Sequence, residues 1–125
     1  MNDQAGLVLV LTTEADQERA EALAAAVLER RLAACVALHP VGSRYHWNGV
    51  LQQATEVQVL FKTSSARLSQ LQQAVMALHS YDVPEWLAWP VDASPAYGSW
   101  ARSELSSDGP PPDPAERRSN GHPAG

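Results

Sequence analysis

Residues 43–51 read SRYHWNGVL, and a second extended run, EVQVLFKT, follows at residues 56–63. The pair Asn48-Gly49 is typical of a two-residue hairpin, because both residues tolerate the positive φ angles that a type I′ turn requires. Tyr45 and Trp47 share one face of the incoming strand, since side chains alternate along a strand. The stretch therefore predicts two long antiparallel strands with an aromatic face, on which the other elements must pack.

The hydrophobic pattern of the rest of the chain predicts the order β-α-β-β-α-β with a short last helix. A buried first strand is predicted over residues 7–13, followed by a helix whose apolar residues recur at helical spacing. The second strand is expected to bend or bulge at Pro40-Val41-Gly42 before it enters the hairpin. With right-handed crossovers this order gives an α+β fold, the ferredoxin-like sandwich with one antiparallel sheet and both main helices on one face. The remaining predicted elements are helix 64–79, strand 86–91 and helix 96–105.

Polar residues mark the expected helix ends. Thr13, followed three residues later by Asp16, resembles a capping box, and Glu14 is assigned to the solvent-facing side of the first helix. Ser64-Ser65 is the expected N-cap of the second helix. Pro90 in the fourth strand is expected at an edge or a strand end, because proline cannot donate to a strand ladder.

Composition limits the classes of function. The 125 residues carry a net charge of −5 with one lysine and eight arginines scattered along the chain, which argues against nucleic-acid binding. Residues 106–125 contain five prolines and three glycines, so we expect a domain over 1–105 and a disordered tail. The single cysteine, the absence of an apolar run long enough for a membrane span and the lack of a basic start predict a cytoplasmic protein.

Several short sequence motifs, which follow one another in the family's order, resemble the CutA divalent-cation tolerance family over about residues 7–105. The match includes the hairpin, the segment HSYDVPE at residues 79–85 and two aromatic residues of the last helix. In chain order, the matching residues are Leu32-Ala33-Ala34-Cys35-Val36, Ser43, Tyr45, Trp47, Gly49, Glu56, Lys62-Thr63, residues 79–85, Tyr97 and Trp100.

The resemblance implies a homotrimer, similar to the trimeric PII signalling proteins, whose hairpins reach neighbouring subunits. It implies a non-enzymatic role in tolerance of copper and other divalent metals, with no required cofactor. Family members bind copper through a cysteine near the end of the first strand and a histidine before the Tyr-x-x-Pro-Glu motif. Here the strand end reads Leu11-Thr12-Thr13, without a thiol, and His79 occupies the histidine position.

His79 is the first candidate metal ligand, since a neutral imidazole coordinates Cu(II) or Zn(II) and Asp82 or Glu85 could complete the site. The alternative is that His79 caps the second helix. Cys35 is a weaker candidate, because His39 lies about 13 Å away along an extended strand. The alternative for Cys35 is a small buried hydrophobic side chain.

Tyr45, Trp47, Tyr81 and Trp100 are candidates for a subunit interface or for a cleft between subunits, since aromatic residues are enriched in both. Lys62, the only lysine, could bind an acid such as Glu56 or Glu85, an anion in such a cleft, or simply form a surface ion pair. A second hypothesis is therefore a PII-like regulatory module that binds a small anion or nucleotide near Lys62, Tyr45 and residues 79–85. A third is an enzyme using His79 and Glu85 as an acid–base pair, although no catalytic motif accompanies them.

Overall fold

The computed structural model describes residues 6–106, which form a four-stranded antiparallel sheet with three helices. The strand order across the sheet is β2-β3-β1-β4. This α+β architecture confirms the predicted β-α-β-β-α-β order with a terminal helix. The predicted tail lies, from residue 107 onwards, outside the described residues. The elements are β1 (Gly6–Glu14), α1 (Gln17–Glu29), β2 (Cys35–Trp47), β3 (Val50–Thr63), α2 (Leu68–Leu78), β4 (Leu87–Asp92) and α3 (Pro95–Leu105).

The hydrophobic core lies between one face of the sheet and helices α1 and α2. Val10, Val59 and Phe61 are fully buried at its centre, on the two middle strands. The alternation of side chains along β1 and β3 places these residues on the same face, where they meet the apolar sides of both helices. The helix residues of this cluster are Ala20, Leu23, Val27, Leu71, Ala74 and Val75.

The opposite face of the sheet, here called the open face, carries apolar side chains with much less cover. Leu11 pairs with Leu60 on one side and with Leu87 on the other, and Leu9 pairs with Trp89. Leu87 is 50% exposed and Trp89 is 39% exposed. Helix α3 contacts β3 at one end of this face, where Lys62 Nζ lies 3.5 Å from Tyr97 Oη.

The β2–β3 ribbon extends well beyond the sheet. Pairing between β1 and β3 ends at Glu14 and Val57, whereas β2 and β3 continue in register to Trp47 and Val50. We call residues 41–56 the arm. Asn48 and Gly49 have φ angles of 52° and 78° at its tip, which confirms the predicted hairpin turn.

The prediction of a bulge at Pro40-Val41-Gly42 is wrong. These residues pair with Val57, Glu56 and Thr55 without a break in register. Proline fits here because β2 is an edge strand, on which only one side takes part in the ladder. Pro90 lies on the other edge strand, β4, as predicted.

Two predicted helix starts are also wrong. Glu14 ends β1 and is only 1% exposed, and α1 is capped by Asp16, whose side chain accepts the Arg19 N–H at 2.8 Å. Thr13 therefore belongs to the strand. Helix α2 begins after Arg67, which makes no side-chain cap, because Ser64 and Ser65 form a preceding turn through their carbonyl groups.

None of the helices in residues 6–106 is long and apolar enough to cross a membrane.

Candidate functional site: the cleft at the base of the arm

A cleft of about 860 Å³ separates the arm from residues 80–85, the segment that follows α2. Its walls combine aromatic side chains of the arm with polar groups from the end of β1 and from that segment. The side chains that matter for the site's chemistry are Thr13, Tyr45, Trp47, Glu56, Tyr81 and Glu85. The cleft therefore lies where the sheet ends and the free ribbon begins.

Behind this cleft Glu14 forms the centre of a buried polar network. Its carboxylate accepts hydrogen bonds from Ser80 Oγ at 2.5 Å, from the Ser80 N–H at 3.0 Å and from the Ala15 N–H at 2.9 Å. Burial alone would raise the pKa of Glu14, but the bonds from Ser80 and Ala15 outweigh it, so the pKa lies below its ordinary value. The network thus holds an ionised carboxylate and joins β1 to the segment after α2.

His79 uses both ring nitrogens within the fold. The Tyr81 N–H, which can only donate, lies 3.0 Å from Nδ1, so Nδ1 is the acceptor and Nε2 carries the proton. Nε2–H then donates to the Thr13 carbonyl at 2.9 Å. The side chain is fully buried, with Nδ1 3.6 Å from a carboxylate oxygen of Glu14. His79 is also the C-cap residue of α2, where its own backbone N–H donates to the Val75 carbonyl.

Tyr81 connects this segment to the arm. Its hydroxyl donates to a carboxylate oxygen of Glu56 at 2.5 Å, and Glu56 is itself buried at the base of the arm. Burial and the neighbouring Glu56 carboxylate raise the pKa of Tyr81, so the phenol keeps its proton. The bond fixes the position of the aromatic ring across the cleft.

The far end of the segment is tied to β1 through Glu85. Thr12 Oγ1 donates to the Glu85 carbonyl and Thr13 Oγ1 to its carboxylate, both at 2.5 Å. The Glu85 side chain remains exposed to solvent, as does that of Asp82. Residues 80–85 are therefore anchored at both ends, with two acidic side chains at the mouth of the cleft.

The structure brings together only part of the site predicted from the sequence. Tyr45, Trp47 and Tyr81 line the cleft. Lys62 lies six residues from Glu56 along β3, about 20 Å away, beside the Tyr97 ring. Trp100 also stands against Tyr97, with ring centroids 5.4 Å apart.

Cys35 is partly buried and pairs with Lys62, at the end of the sheet away from His79. Within residues 6–106, no three His, Cys, Asp or Glu side chains are close enough together to hold a metal ion. Metal ligation by His79, Asp82, Glu85 or Cys35 thus stays a prediction.

Sequence reasoning missed Glu14 and Ser80 as parts of the site. The signal for Glu14 was present, because it continues the alternation of Val8, Val10 and Thr12, which places it on the buried face of β1. Ser80 gave no such signal, since its role depends on where the end of α2 meets the end of β1.

Comparison with known proteins places the chain in a family. The model of the family described as CutA1 divalent ion tolerance protein matches residues 8–104. A divalent-cation tolerance protein CutA of Yersinia pestis (strain Pestoides F) is 42% identical over 100 residues, covering 78% of this chain and 84% of the relative.

Solved structures agree with the sequence comparison. CutA from Synechococcus elongatus PCC7942 is 42% identical and superposes with a TM-score of 0.80 over 84% of this chain and 95% of that chain. The periplasmic divalent cation tolerance protein CutA from Archaeoglobus fulgidus is 31% identical with a TM-score of 0.78, covering 80% of this chain and 99% of its own. The chain belongs to the CutA1 divalent ion tolerance protein family.

Proposed function

We propose that this chain acts in tolerance of divalent cations, copper among them, as a non-enzymatic homotrimer in the cytoplasm. The observation that carries the proposal is the family match over residues 8–104, with relatives named for divalent-cation tolerance. Those names specify a tolerance role and no reaction. The cytoplasmic assignment rests on the single cysteine, which fits a reducing compartment, and cell fractionation checks it.

Assembly into a trimer is supported by apolar surface that one subunit leaves uncovered. Leu87 and Trp89 are exposed on the open face, and Tyr45, Trp47 and Val50 are exposed on the arm. Soluble monomers seldom expose contiguous apolar patches of more than a few hundred Å². Neighbouring subunits would cover the open faces of one another, and the arm would reach across to them.

Cation binding at His79 requires a change in the hydrogen bonds described above. Nε2 carries a proton, so a metal ion would coordinate Nδ1 and displace the Tyr81 N–H. Glu85 and Asp82 stand exposed in the same segment and would have to move closer to His79 to supply oxygen ligands, since no three such side chains in residues 6–106 are close enough together to hold a metal ion. Loading with metal would therefore loosen Tyr81 and with it the connection to the arm.

Titration of Cu(II) tests this ligand set. We expect His79→Ala to weaken Cu(II) affinity at least tenfold, whereas His46→Ala, which removes an exposed histidine on the arm, leaves it unchanged. Equal affinity in the wild-type chain and His79→Ala would remove His79 from the site. Circular dichroism of both variants shows whether the fold is retained.

Growth under metal stress tests the proposed function itself. In a host that lacks its own member of the family, expression of the chain is expected to restore growth at a copper concentration that inhibits the empty-vector strain. Failure to restore growth, with the protein present at normal levels, would contradict a tolerance role. The PII-like alternative has less support, because Lys62 and residues 79–85 lie at different ends of the sheet within a subunit.

A further inference from the structure

Glu14 and Glu56 are both buried near the base of the arm, but they differ in how the fold satisfies their carboxylates. Glu14 accepts three hydrogen bonds, two of them from Ser80. Glu56 is 6% exposed. In the part of the chain that the structure describes, it accepts one hydrogen bond, from Tyr81 Oη, and forms no ion pair. Because carboxylates are rarely buried unless a cation or several donors replace the lost water, Glu56 points to a cationic partner.

Arg44, the arginine of the arm, does not supply this partner. It follows Val41, the cross-strand partner of Glu56, by three residues, so its side chain lies on the opposite face of the ribbon from Glu56. Tyr45 follows Val41 by four residues and therefore shares the face of Glu56. Within residues 41–56 this face combines a buried carboxylate with aromatic side chains and carries no basic residue.

The cleft that Glu56 lines has the size and the walls of a small-molecule site. Its volume of about 860 Å³ lies in the range typical of ligand pockets. Tyr45, Trp47 and Tyr81 line it, and aromatic faces attract organic ammonium groups through cation–π interactions. A divalent metal ion suits these walls less well, because it binds oxygen, nitrogen or sulfur ligands rather than aromatic rings.

We propose that the cleft binds an aliphatic diamine or polyamine. One ammonium group donates to the Glu56 carboxylate, and the methylene chain packs against the rings of Tyr45 and Tyr81. Asp82 and Glu85, which are exposed at the mouth of the cleft, attract the second ammonium group. Since Tyr81 Oη contacts Glu56 and Asp82 directly follows Tyr81, about the length of one tyrosine side chain separates the inner acid from the outer ones. Two ammonium groups joined by a few methylenes match this arrangement.

Isothermal titration calorimetry of the full chain at low salt tests the proposal with putrescine, butylamine and butanol, which carry two, one and no ammonium groups. Putrescine should bind, butylamine should bind more weakly and butanol should not bind. We expect Glu56→Gln, which still accepts the Tyr81 hydrogen bond, to weaken putrescine binding about tenfold or more. Asp82→Asn should weaken it about threefold, because this acid is exposed. Glu29→Gln, an exposed acid of α1 outside the cleft, should leave it unchanged.

The other outcomes overturn the proposal. A wild-type chain that does not bind putrescine would show that the cleft is not an amine site. Wild-type affinity in Glu56→Gln would remove the buried acid from the site. If Glu29→Gln loses as much affinity as Asp82→Asn, the attraction is a general effect of the net charge of −5. If Glu56→Gln does not fold by circular dichroism, Asp82→Asn and the difference between putrescine and butylamine decide the question. Equal binding of those two ligands would then contradict a site for two charges.

Discussion

The two halves of the β2–β3 ribbon share one unbroken register but lie in different surroundings. Near the start of β2, Val36 pairs with Phe61 and Leu38 with Val59, and these residues pack against the core under α1 and α2. In the arm, Tyr45 and Trp47 are 43% and 52% exposed. Strand pairing therefore continues in the arm without a hydrophobic core beneath it. The apolar side chains of the arm remain exposed and can be buried only against another surface.

Phe61→Ala tests the packed half of the ribbon and should have the largest effect. Phe61 is fully buried at the centre of the core, so its truncation leaves a cavity and should lower the free energy of unfolding by about 3–5 kcal/mol. Leu51→Ala, at the exposed tip of the arm, should leave the stability of a subunit nearly unchanged. Chemical denaturation of both variants measures the difference, and equal losses would refute the contrast between the two halves.

Glu14 marks the boundary between the halves, and its network should make stability depend on pH. The pKa of Glu14 is lowered in the folded state, so its contribution is present above the ordinary value of 4.5 and is lost as pH falls through the folded-state value. Glu14→Gln should lower the free energy of unfolding at pH 7 by about 3 kcal/mol. It should also reduce the change in that free energy as the pH falls below 4.5. Glu18→Gln, on the exposed side of α1, is the matched control. An unchanged acid profile in Glu14→Gln would contradict this role.

Tyr81→Phe removes the hydrogen bond that joins the segment after α2 to the base of the arm. Because that bond ends on the carboxylate of the buried Glu56, its loss should lower the unfolding free energy by about 1.5 kcal/mol. Tyr45→Phe, half-exposed in the same cleft, should change stability much less. Thermal melts decide the comparison, and similar melting temperatures for the two variants would argue against the bond as a connection.

Gly49→Val tests the tip of the arm and should have the smallest effect. Gly49 has φ 78° with open space around an added Cβ, so the cost is backbone strain alone, about 1 kcal/mol or more. Gly42→Ala, also in open space but without a positive φ, should be neutral. Unchanged melting of Gly49→Val would show that the turn does not depend on this conformation.

The sequence was sufficient for the fold because its strongest signals are local. Asn48-Gly49 specified the turn, and the helical spacing in residues 14–32 and 64–79 specified the two main helices. The errors concern residues whose local preference is overridden by tertiary position. Pro40 resembles a break, yet an edge strand accommodates it, and Glu14 resembles a helix-start acid, yet three hydrogen-bond donors hold it in the strand.

The candidate site was only partly predictable for a related reason. Tyr45, Trp47 and Tyr81 were identified from their residue type and meet in the cleft. Lys62 was grouped with them, but strand length places it beside Tyr97 of α3, and Trp100 belongs to α3 itself. The hydrogen bond from His79 to the Thr13 carbonyl joins positions 66 residues apart, which no local pattern reveals.

Sedimentation velocity at micromolar concentration tests most directly whether the arm builds the assembly. The wild-type chain should sediment as three subunits, and Trp47→Ser should shift the distribution towards single chains. Leu28→Ser, which replaces a comparably exposed residue on α1, should keep the trimer. A wild-type chain that sediments as a monomer, or a Trp47→Ser variant that remains fully trimeric, would contradict the account.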